Sequence, residues 1–452
     1  MSKPSQTTNE QNDLFFARLS QQLNPRHPLM VLALHINWAS LENDLGLTFS
    51  PDKAGQPPKP VRLIVGLLML QHMEGLSDEM AVQKWVENPY WQSFCGFDFL
   101  QWSMPIDPSS LTRWRGRIGE KGMDAILAHT IKTAVSTGAA KPKDFEKVIV
   151  DTTVMEANIA YPTDAQLLHK AREKLVALAK KEGVLLRQSY THVGKKLLHK
   201  ISGYGRAKQF KRLGKGVKKL KTYLGRVVRD IERKISPEQS PVFAELLELS
   251  RRLLAQEKRS KDKVYSLHEP HVYCISKGKA RCPYEFGSKV SLVVSHKQGF
   301  ALSSQALEKP SYDGHTLAPS LAHGTKISGV NIKRAFVDRG YKGHGVEENE
   351  VYISGQRRGM TWALKRELKR RSAIEPHIGH MKSEGKLGRN HLKGIIGTKL
   401  NAMLCAIGHN LRLLVNHIRD LFVLFLCWLS RNVNGFLEHL RAFRLCKAKM
   451  NS

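Results

Sequence analysis

The spacing of apolar residues predicts a helical region in the first third of the chain. From residue 61 to about residue 135, residues such as Leu63, Leu67 and Leu70 recur every three or four positions, as they do on the buried face of a helix. We therefore predict an all-α N-terminal domain over residues 29–140.

Two polar segments accompany this region. Residues 1–28 lack the apolar stretch of a signal peptide and are predicted to form a flexible arm. The segment PDKAGQPPKP at residues 51–60 is rich in proline and is predicted to be a linker.

The apolar period changes at Lys147, where a sheet-forming pattern begins. The segment VIVDTTVMEA has apolar residues on both faces and is rich in Val and Thr, which is typical of a strand in the middle of a sheet. After Tyr284 the pattern predicts two strands joined by a turn at 297–299, a short helix, a strand, a short helical turn, a strand and a helix over 362–384. This order predicts an α/β domain with a mixed sheet over residues 141–415.

A basic helical insertion divides the predicted sheet. Residues 163–268 have helical spacing and contain 27 Lys and Arg against 10 Asp and Glu. The segment therefore predicts a surface that attracts nucleic acid, inserted between the first two strands.

The composition of the whole chain points to the same kind of partner. The 452 residues include 72 Lys and Arg and only 40 Asp and Glu, for a formal charge of +32. Such a surface attracts phosphate backbones and releases their counterions, although a merely well-solvated basic protein has the same composition. We expect DNA or RNA as the partner.

The cysteines and the C-terminal segment limit the cellular setting. The six cysteines are scattered without a C-x-x-C pair, so a zinc ribbon or a disulfide framework is not indicated and a cytoplasmic, nucleoid-associated location is expected. The apolar run LFVLFLCWL at 421–429 is too short to span a bilayer, so no membrane partner is expected. A buried, oligomer-forming, interfacial or partner-binding helix remains open for the C-terminal tail, residues 416–452.

Two aspartates follow apolar strand-like runs and form the first part of a candidate site. Asp151 follows VIV and Asp338 follows RAFV, so the two carboxylates would meet if their strands are neighbours. Neighbouring carboxylates repel each other unless cations neutralise them, and hard oxygen ligands suit Mg²⁺ or Mn²⁺. A pair of such ions can activate an attacking water and stabilise the leaving oxygen of a phosphodiester.

A third carboxylate lies on the predicted helix of residues 362–384. Arg371, Glu375 and Lys382 project from one narrow stripe of that helix, at about 100° per residue. Its apolar neighbours would pack on the sheet, and Pro376 is expected to remove one helical hydrogen bond and bend the helix. An ordinary surface ladder of ion pairs is the alternative interpretation.

Other polar residues are set aside as ligands. Asp313 lies in a turn motif, YDG, where a structural role is the commoner one, and Glu347 and Glu348 are expected to be solvated. The histidines at 315, 323, 377 and 380 lack the spacing of a zinc site. Arg113, Arg115 and Arg117 form a charge run that either contacts DNA phosphates or is a solvated face.

The order Asp151, Asp338, Glu375 resembles that of the bacterial insertion-sequence DDE transposases. Their Y-x2-R-x3-E-x6-K signature matches at Arg371, Glu375 and Lys382, whereas Leu368 stands where the signature has Tyr. Further local matches are VIVDTTVMEANI, YEFGSKVSL, YDGHTL and AFVDRGYKG, and the resemblance spans about residues 60 to 160 and 275 to 415.

The resemblance implies a fold and an activity. The fold is an RNase H-like catalytic core, here interrupted by the basic insertion, with a helical N-terminal domain for DNA binding or dimerisation. Asp151, Asp338 and Glu375 would bind two Mg²⁺ or Mn²⁺ ions, and Arg371 and Lys382 would hold DNA phosphates. A homodimer would bind the terminal inverted repeats, cleave the DNA and join it to target DNA, with no small-molecule cofactor.

Two alternatives stay open at this point. An RNase H-like nuclease without strand transfer needs the same metal ligands, so the residues do not separate it from a transposase. A non-catalytic nucleic-acid-binding protein would show metal-independent binding and no cleavage with any divalent cation.

Overall fold

The N-terminal part of the chain is helical. The computed structural model describes residues 17–46, 59–257, 259–276 and 283–450, and the side chains as far as residue 423. Helices α1 to α7 are Leu19–Gln22, Pro28–His35, Trp38–Gly46, Val61–Glu74, Asp78–Glu87, Pro89–Phe94 and Ser109–Ser136. Helices thus occupy most of the segment between residue 61 and residue 135, as the apolar spacing predicts.

Helix α4 lies at the centre of this part, since its residues 63–72 are all buried. The C-terminal helix α15, Gly394–Met450, packs against α4 and α7. Helices α15 and α4 approach so closely that a methyl group at Gly408 would lie 2.4 Å from the carbonyl oxygen of His72. The helical part and the sheet therefore share one hydrophobic core.

The predicted N-terminal arm is too long. Leu19 is buried and donates its backbone N–H to the carbonyl oxygen of Asp98 at 2.7 Å, so the chain is already packed at this point. Residues 1–16 and most of the predicted linker at 51–60 lie outside the described residues.

The predicted basic run on α7 is only partly a surface feature. Arg113 and Arg117 are exposed, but the Arg115 side chain is 3% exposed and forms an ion pair with Asp78. One guanidinium N–H donates to Asp78 Oδ2 at 2.9 Å and another to Gln71 Oε1 at 2.8 Å. Arg115 therefore holds α4, α5 and α7 together and is not available for DNA.

This ion pair leads to a prediction about stability. Replacing Asp78 by Ala leaves the Arg115 charge buried without its partner, which is expected to cost roughly 3–5 kcal/mol of the free energy of unfolding. Thermal and urea unfolding of the variant measure the loss. Glu79→Ala, which removes an exposed neighbouring carboxylate, is the matched control and should leave the unfolding midpoint nearly unchanged. Equal midpoints for the two variants would contradict the assignment.

The sheet is mixed, as predicted. Strands β1 to β7 are Lys147–Ala157, Tyr273–Ser276, Tyr284–Ser295, Ala301–Ala306, Arg334–Val337, Glu350–Ile353 and Arg389–Asn390. The order along the sheet is β2-β3-β1-β5-β6, with β4 paired to β3 and β7 paired to β1. The pairs β1/β3, β2/β3 and β3/β4 are antiparallel, whereas β1/β5, β5/β6 and β1/β7 are parallel.

Several details of the sheet differ from the prediction. Strands β2 and β7 are short and carry no clear alternation, and the sequence patterns missed both. Asp151 lies in the middle of β1 instead of at its end, because β1 continues to Ala157. The short helical turn predicted within residues 342–349 is instead a 3-10 turn at Arg339–Tyr341.

Helices cover the sheet. Helix α12, Asp313–Ser328, contacts β3 and β4, and α15 contacts β4. The segment predicted as one helix over 362–384 consists of α13, Trp362–Lys369, a 3-10 turn at Arg370–Ala373, and α14, Ile374–Ser383. Pro376 lies in the first turn of α14, where its missing N–H leaves no helical bond unmade, so the predicted loss of a hydrogen bond is wrong.

The insertion folds around a core of its own. Helices α8 to α11 are Asp164–Lys181, Thr191–Arg206, Phe210–Glu232 and Ser240–Ala255. Their buried residues, such as Leu175, Leu224 and Phe243, form a second hydrophobic cluster that is separate from the main one. The helical spacing of this segment therefore corresponds to a module inserted between β1 and β2.

Helix α15 runs without interruption across residue 416, where a separate C-terminal tail is predicted to begin. At its last described side chains, Leu421, Phe422 and Val423 are exposed. Within the described part of the chain, no helix combines the length and the apolar character that crossing a membrane requires.

Candidate active site

Asp151 and Asp338 lie side by side, Asp151 on β1 and Asp338 directly after the neighbouring parallel strand β5. In the β1/β5 pair, Val148 is opposite Ala335 and Ile149 is opposite Phe336. The paired positions end there, but continuing the same register by two residues brings Asp151 level with Asp338, whose charge acts on the pKa of Asp151. Side chains two residues apart point to the same face, so both carboxylates project from the same face as the Ile149/Phe336 pair.

Asp151 is held in a poorly solvated position. Its side chain is 20% exposed, and its Oδ1 accepts the backbone N–H of Thr152 at 2.7 Å. Burial raises the pKa of Asp151 to about 6, and the charges of Asp338 and Asp313 act in the same direction. The Thr152 N–H and Arg371 act in the opposite direction but do not cancel the effect.

Asp338 is oriented by the turn that follows β5. Its Oδ1 accepts the backbone N–H of Gly340 at 2.8 Å and so begins the 3-10 turn. The carboxylate is thereby fixed close to the strand end, as the sequence pattern predicts for this residue.

Asp313, for which the YDG motif predicts a structural role, belongs to the same cluster. Its Oδ1 accepts from Thr152 Oγ1 and from Lys289 Nζ, both at 2.6 Å. A methyl group at Gly340 would stand 3.0 Å from Asp338 Oδ1 and 3.2 Å from Asp313 Oδ2, so the two carboxylates face one point. The turn motif YDG gave the correct element, the start of α12, but not its position beside β1.

Tyr341 forms a buried floor next to the cluster. Its side chain is fully buried, and burial raises the pKa of its phenol, with further contributions from Asp151, Asp313 and Asp338. The site therefore has an apolar, neutral base on which negative charges repel one another strongly.

Arg371 joins Glu375 to the cluster. Its Nη1 lies 3.8 Å from Asp151 Oδ2, and its Nη2 lies 3.6 Å from Glu375 Oε1. The Arg371 side chain is 17% exposed, whereas that of Glu375 is 66% exposed at the rim. The guanidinium thus stands between two of the predicted carboxylate ligands and partly neutralises both.

Lys382 and Leu368 complete the sequence signature. Lys382 lies in the last turn of α14, half-buried, about 10 Å along the helix from Glu375. Leu368, at the signature's Tyr position, packs against the main core. Ile374 and Met381 of α14 are fully buried, which confirms the predicted apolar stripe of this helix.

The donor set suits a hard divalent cation. Asp151, Asp338 and Asp313 supply carboxylate oxygens whose negative charges repel one another. A bound Mg²⁺ or Mn²⁺ would reduce this repulsion. In the part of the chain that the structure describes, no three His, Cys, Asp or Glu side chains already surround a single point as a metal-binding group. Glu375 is turned towards Arg371, so it would have to rotate to join the aspartates.

Comparison with known proteins relates the helical N-terminal part to a described family. The family model Transposase domain (DUF772) matches residues 17–117. Uncharacterized protein ORF8 in the nfe locus of Rhizobium meliloti is 46% identical over 208 residues, which are 46% of this chain and 100% of that protein. No solved structure matches the chain significantly.

Proposed function

The chain belongs to a family with a transposase domain (DUF772), and from that premise we propose that it is an insertion-sequence DDE transposase whose metal ligands are Asp151, Asp338 and Glu375. The observation that carries the proposal is the parallel pairing of β1 and β5, whose register, continued by two residues, sets Asp151 beside Asp338. A transposase processes DNA, and a cluster of mutually repelling carboxylates on an apolar base is suited to that chemistry.

The sheet supports an RNase H-like core. Strands β4, β3 and β1 form an antiparallel series, and β5 and β6 extend it in parallel with β1. This mixed order is compatible with the RNase H-like fold that the sequence resemblance implies. The proposed ligands Asp151 and Asp338 lie on β1 and directly after β5, at the middle of that sheet.

Two Mg²⁺ or Mn²⁺ ions are the proposed cofactors. When bound, they would activate the attacking oxygen and stabilise the leaving oxygen of a phosphodiester. The chain's own part is to hold the carboxylates in position, through the Thr152 and Gly340 backbone N–H groups and through the apolar floor formed by Tyr341. Asp313 contributes a further negative charge, while its Oδ1 is occupied by Thr152 and Lys289.

Arg371 and Lys382 are the proposed phosphate-binding residues. A guanidinium can hold a phosphate with two parallel hydrogen bonds, whereas an ammonium acts as a point charge. Arg371 already stands at the rim between Asp151 and Glu375, so a phosphate bound there would be next to the carboxylates.

A prediction follows for Arg371. Replacement by Ala is expected to lower single-turnover cleavage of DNA about 10- to 100-fold, because one preorganised donor to the reacting phosphate is lost. It should also move the pH midpoint of cleavage upwards, because the Arg371 charge lowers the pKa of Asp151. Arg371→Lys should recover part of the rate.

Arg366→Ala is the matched control, since it removes the same charge from an exposed position on α13. Its rate should stay within about threefold of the wild type, well below the effect of losing a phosphate contact. An Arg371→Ala rate equal to that of the control, with an unmoved pH midpoint, would refute the role of Arg371.

The proposed partners are the two ends of the element and the target DNA. Both ends must be held together for transposition, so we include a homodimer on DNA in the proposal, with a nucleoid-associated location. A mass measurement on end-containing DNA tests the dimer: one protein copy per pair of ends would contradict it.

The function itself is tested with duplexes that carry the terminal sequences flanking the gene. With Mg²⁺, the protein is expected to nick at the ends and to join the freed 3′-OH to a second duplex. Nicking without any joined product would favour the nuclease alternative. Binding without cleavage in Mg²⁺ or Mn²⁺ would favour the non-catalytic alternative.

A further inference from the structure

The helical hairpin α9–α10 of the insertion carries an unusual excess of positive charge. Residues 191–229 of this hairpin contain 13 Lys and Arg and no Asp or Glu, and the acidic residues Asp230 and Glu232 lie only at the end of α10. A group of like charges without counter-charges repels itself, so such a surface destabilises the free protein unless a polyanion neutralises it.

The charges on α10 are ordered along one side of the helix. Lys211, Lys215, Lys218, Arg226 and Arg229 fall within an arc of about 80° at 100° per residue. We call these five residues the α10 stripe, and all five are exposed.

The opposite side of α10 anchors the stripe to the module. Leu220, Leu224, Val227 and Ile231 are buried in the second hydrophobic cluster. Arg226 is further held by Tyr190, whose hydroxyl accepts from its Nη1 at 3.2 Å. The stripe therefore lies on the solvent side of a helix that packs against the module core, with its charges directed away from that core.

Three lysines of the stripe have no counter-charge among the described residues. Lys211, Lys215 and Lys218 form no ion pair with any residue that the structure describes. From Lys211 to Arg229 the stripe is about 27 Å long, which corresponds to about eight phosphates of one DNA strand. Lysines act as point charges that position a backbone and do not read bases.

We propose that the α10 stripe binds the phosphate backbone of duplex DNA without regard to its sequence, at a distance from the carboxylate cluster. The insertion leaves β1 at Ala157, six residues or about 20 Å along the strand from Asp151. DNA held on the stripe is thus engaged outside the reacting centre. The inference rests on the proposed function, since it names the surface by which the enzyme holds DNA.

The test compares two triple variants of the full chain. Lys211→Gln/Lys215→Gln/Lys218→Gln removes three charges from the stripe. Lys170→Gln/Lys174→Gln/Lys181→Gln removes three exposed charges from α8 of the same module, where Glu173 is a neighbour. Fluorescence anisotropy with labelled end-containing and unrelated duplexes, in EDTA and over a range of salt concentrations, gives the affinity and its salt dependence.

The stripe variant is expected to lose about 3 in the slope of log affinity against log salt concentration, and about tenfold or more in affinity, equally for both duplexes. The α8 variant should keep the wild-type slope to within about 1. An unchanged slope, a loss confined to the end sequence, or an equal loss in the α8 variant would overturn the proposal. A reduced slope on single-stranded RNA but not on duplex DNA would overturn it as well.

Further measurements separate an effect on DNA binding from effects on folding and on catalysis. Thermal unfolding checks that the triple variant is folded, and Lys215→Gln alone, with an expected slope change of about 1, serves if it is not. If the wild-type protein cleaves DNA but the stripe variant shows no change in the salt dependence of binding, only the proposed role of the α10 stripe is refuted. If the stripe variant shows the expected change in salt dependence but the wild-type protein never cleaves DNA with Mg²⁺ or Mn²⁺, only the proposed catalytic function is refuted.

Discussion

Replacement of Asp151 by Asn is expected to slow Mg²⁺-dependent DNA cleavage by about a thousandfold or more, or about 4 kcal/mol of transition-state stabilisation. The amide has nearly the shape of the carboxylate but lacks its charge, so the variant should fold and bind DNA while losing a hard anionic ligand at the centre of the cluster. Single-turnover cleavage of an end-containing duplex measures the rate, and anisotropy in EDTA measures the binding.

Glu156→Gln is the matched control on the same strand. Glu156 lies five residues beyond Asp151 on β1 and pairs with Arg389 at 3.8 Å, away from the cluster. This variant should cleave within about threefold of the wild type, the range of a weak surface ion pair. An Asp151→Asn protein that cleaves as fast as the control would show that the carboxylate cluster is not the reacting centre.

Cleavage at Mg²⁺ concentrations below saturation is expected to fall about tenfold between pH 7 and pH 5. Burial and the neighbouring Asp338 and Asp313 raise the pKa of Asp151 to about 6, and the protonated acid is a poor ligand for a hard cation. The measurement is a pH–rate profile on one duplex at fixed ionic strength. A rate that stays constant down to pH 5 would contradict the raised pKa or the role of Asp151.

The same group should affect the stability of the metal-free protein. Because the folded-state pKa of Asp151 is about 6 and its ordinary value is 3.8, its charge destabilises the fold above pH 6, and this effect disappears as the pH falls towards 4. Asp151→Asn should therefore raise the free energy of unfolding in EDTA at pH 8, by at most about 3 kcal/mol, with little gain at pH 4. Added Mg²⁺ should stabilise the wild type at pH 8 more than the variant.

The apolar patterns of the sequence predicted most of the strands and helices. The strands around Asp151 and Asp338 are long or largely buried, so their composition alone identified them. Strands β2 and β7 have four and two residues and depend on pairing with β3 and β1, which is a tertiary effect that local composition does not contain.

The candidate site was only partly predictable. Which strands are neighbours depends on the sheet order, so the sequence pattern predicted two strand-end aspartates without their register. The turn motif at Asp313 predicts a structural role and no part in the site. Its contacts with Thr152 and Lys289 join residues far apart in the sequence, so a local motif does not contain them. The 3-10 turn at Arg370–Ala373 likewise depends on anchoring contacts: Arg370 donates to the carbonyl oxygens of His296 and Lys297 at 2.9 and 2.7 Å.

Charge runs were the least reliable guide to surface function. Arg113, Arg115 and Arg117 are alike in sequence, yet Arg115 is buried against Asp78 because it lies on the side of α7 that faces α4 and α5. The insertion differs, since its charges alternate with apolar residues of matching helical period and its buried face is well defined. Amphipathic ordering of a charge run, more than its net charge, therefore distinguishes an exposed charged face from a buried ion pair.

The proposed function requires that Asp151 and Asp338 together bind the divalent ions on which DNA cleavage depends. Anomalous X-ray scattering from crystals of the protein soaked with Mn²⁺ tests this most directly. Manganese peaks are expected between the Asp151 and Asp338 carboxylates, with Glu375 turned away from Arg371 and towards the metal, and no peak there in Asp151→Asn. A protein that cleaves DNA with Mn²⁺ but binds the ion elsewhere, leaving both aspartates free of metal, would contradict it.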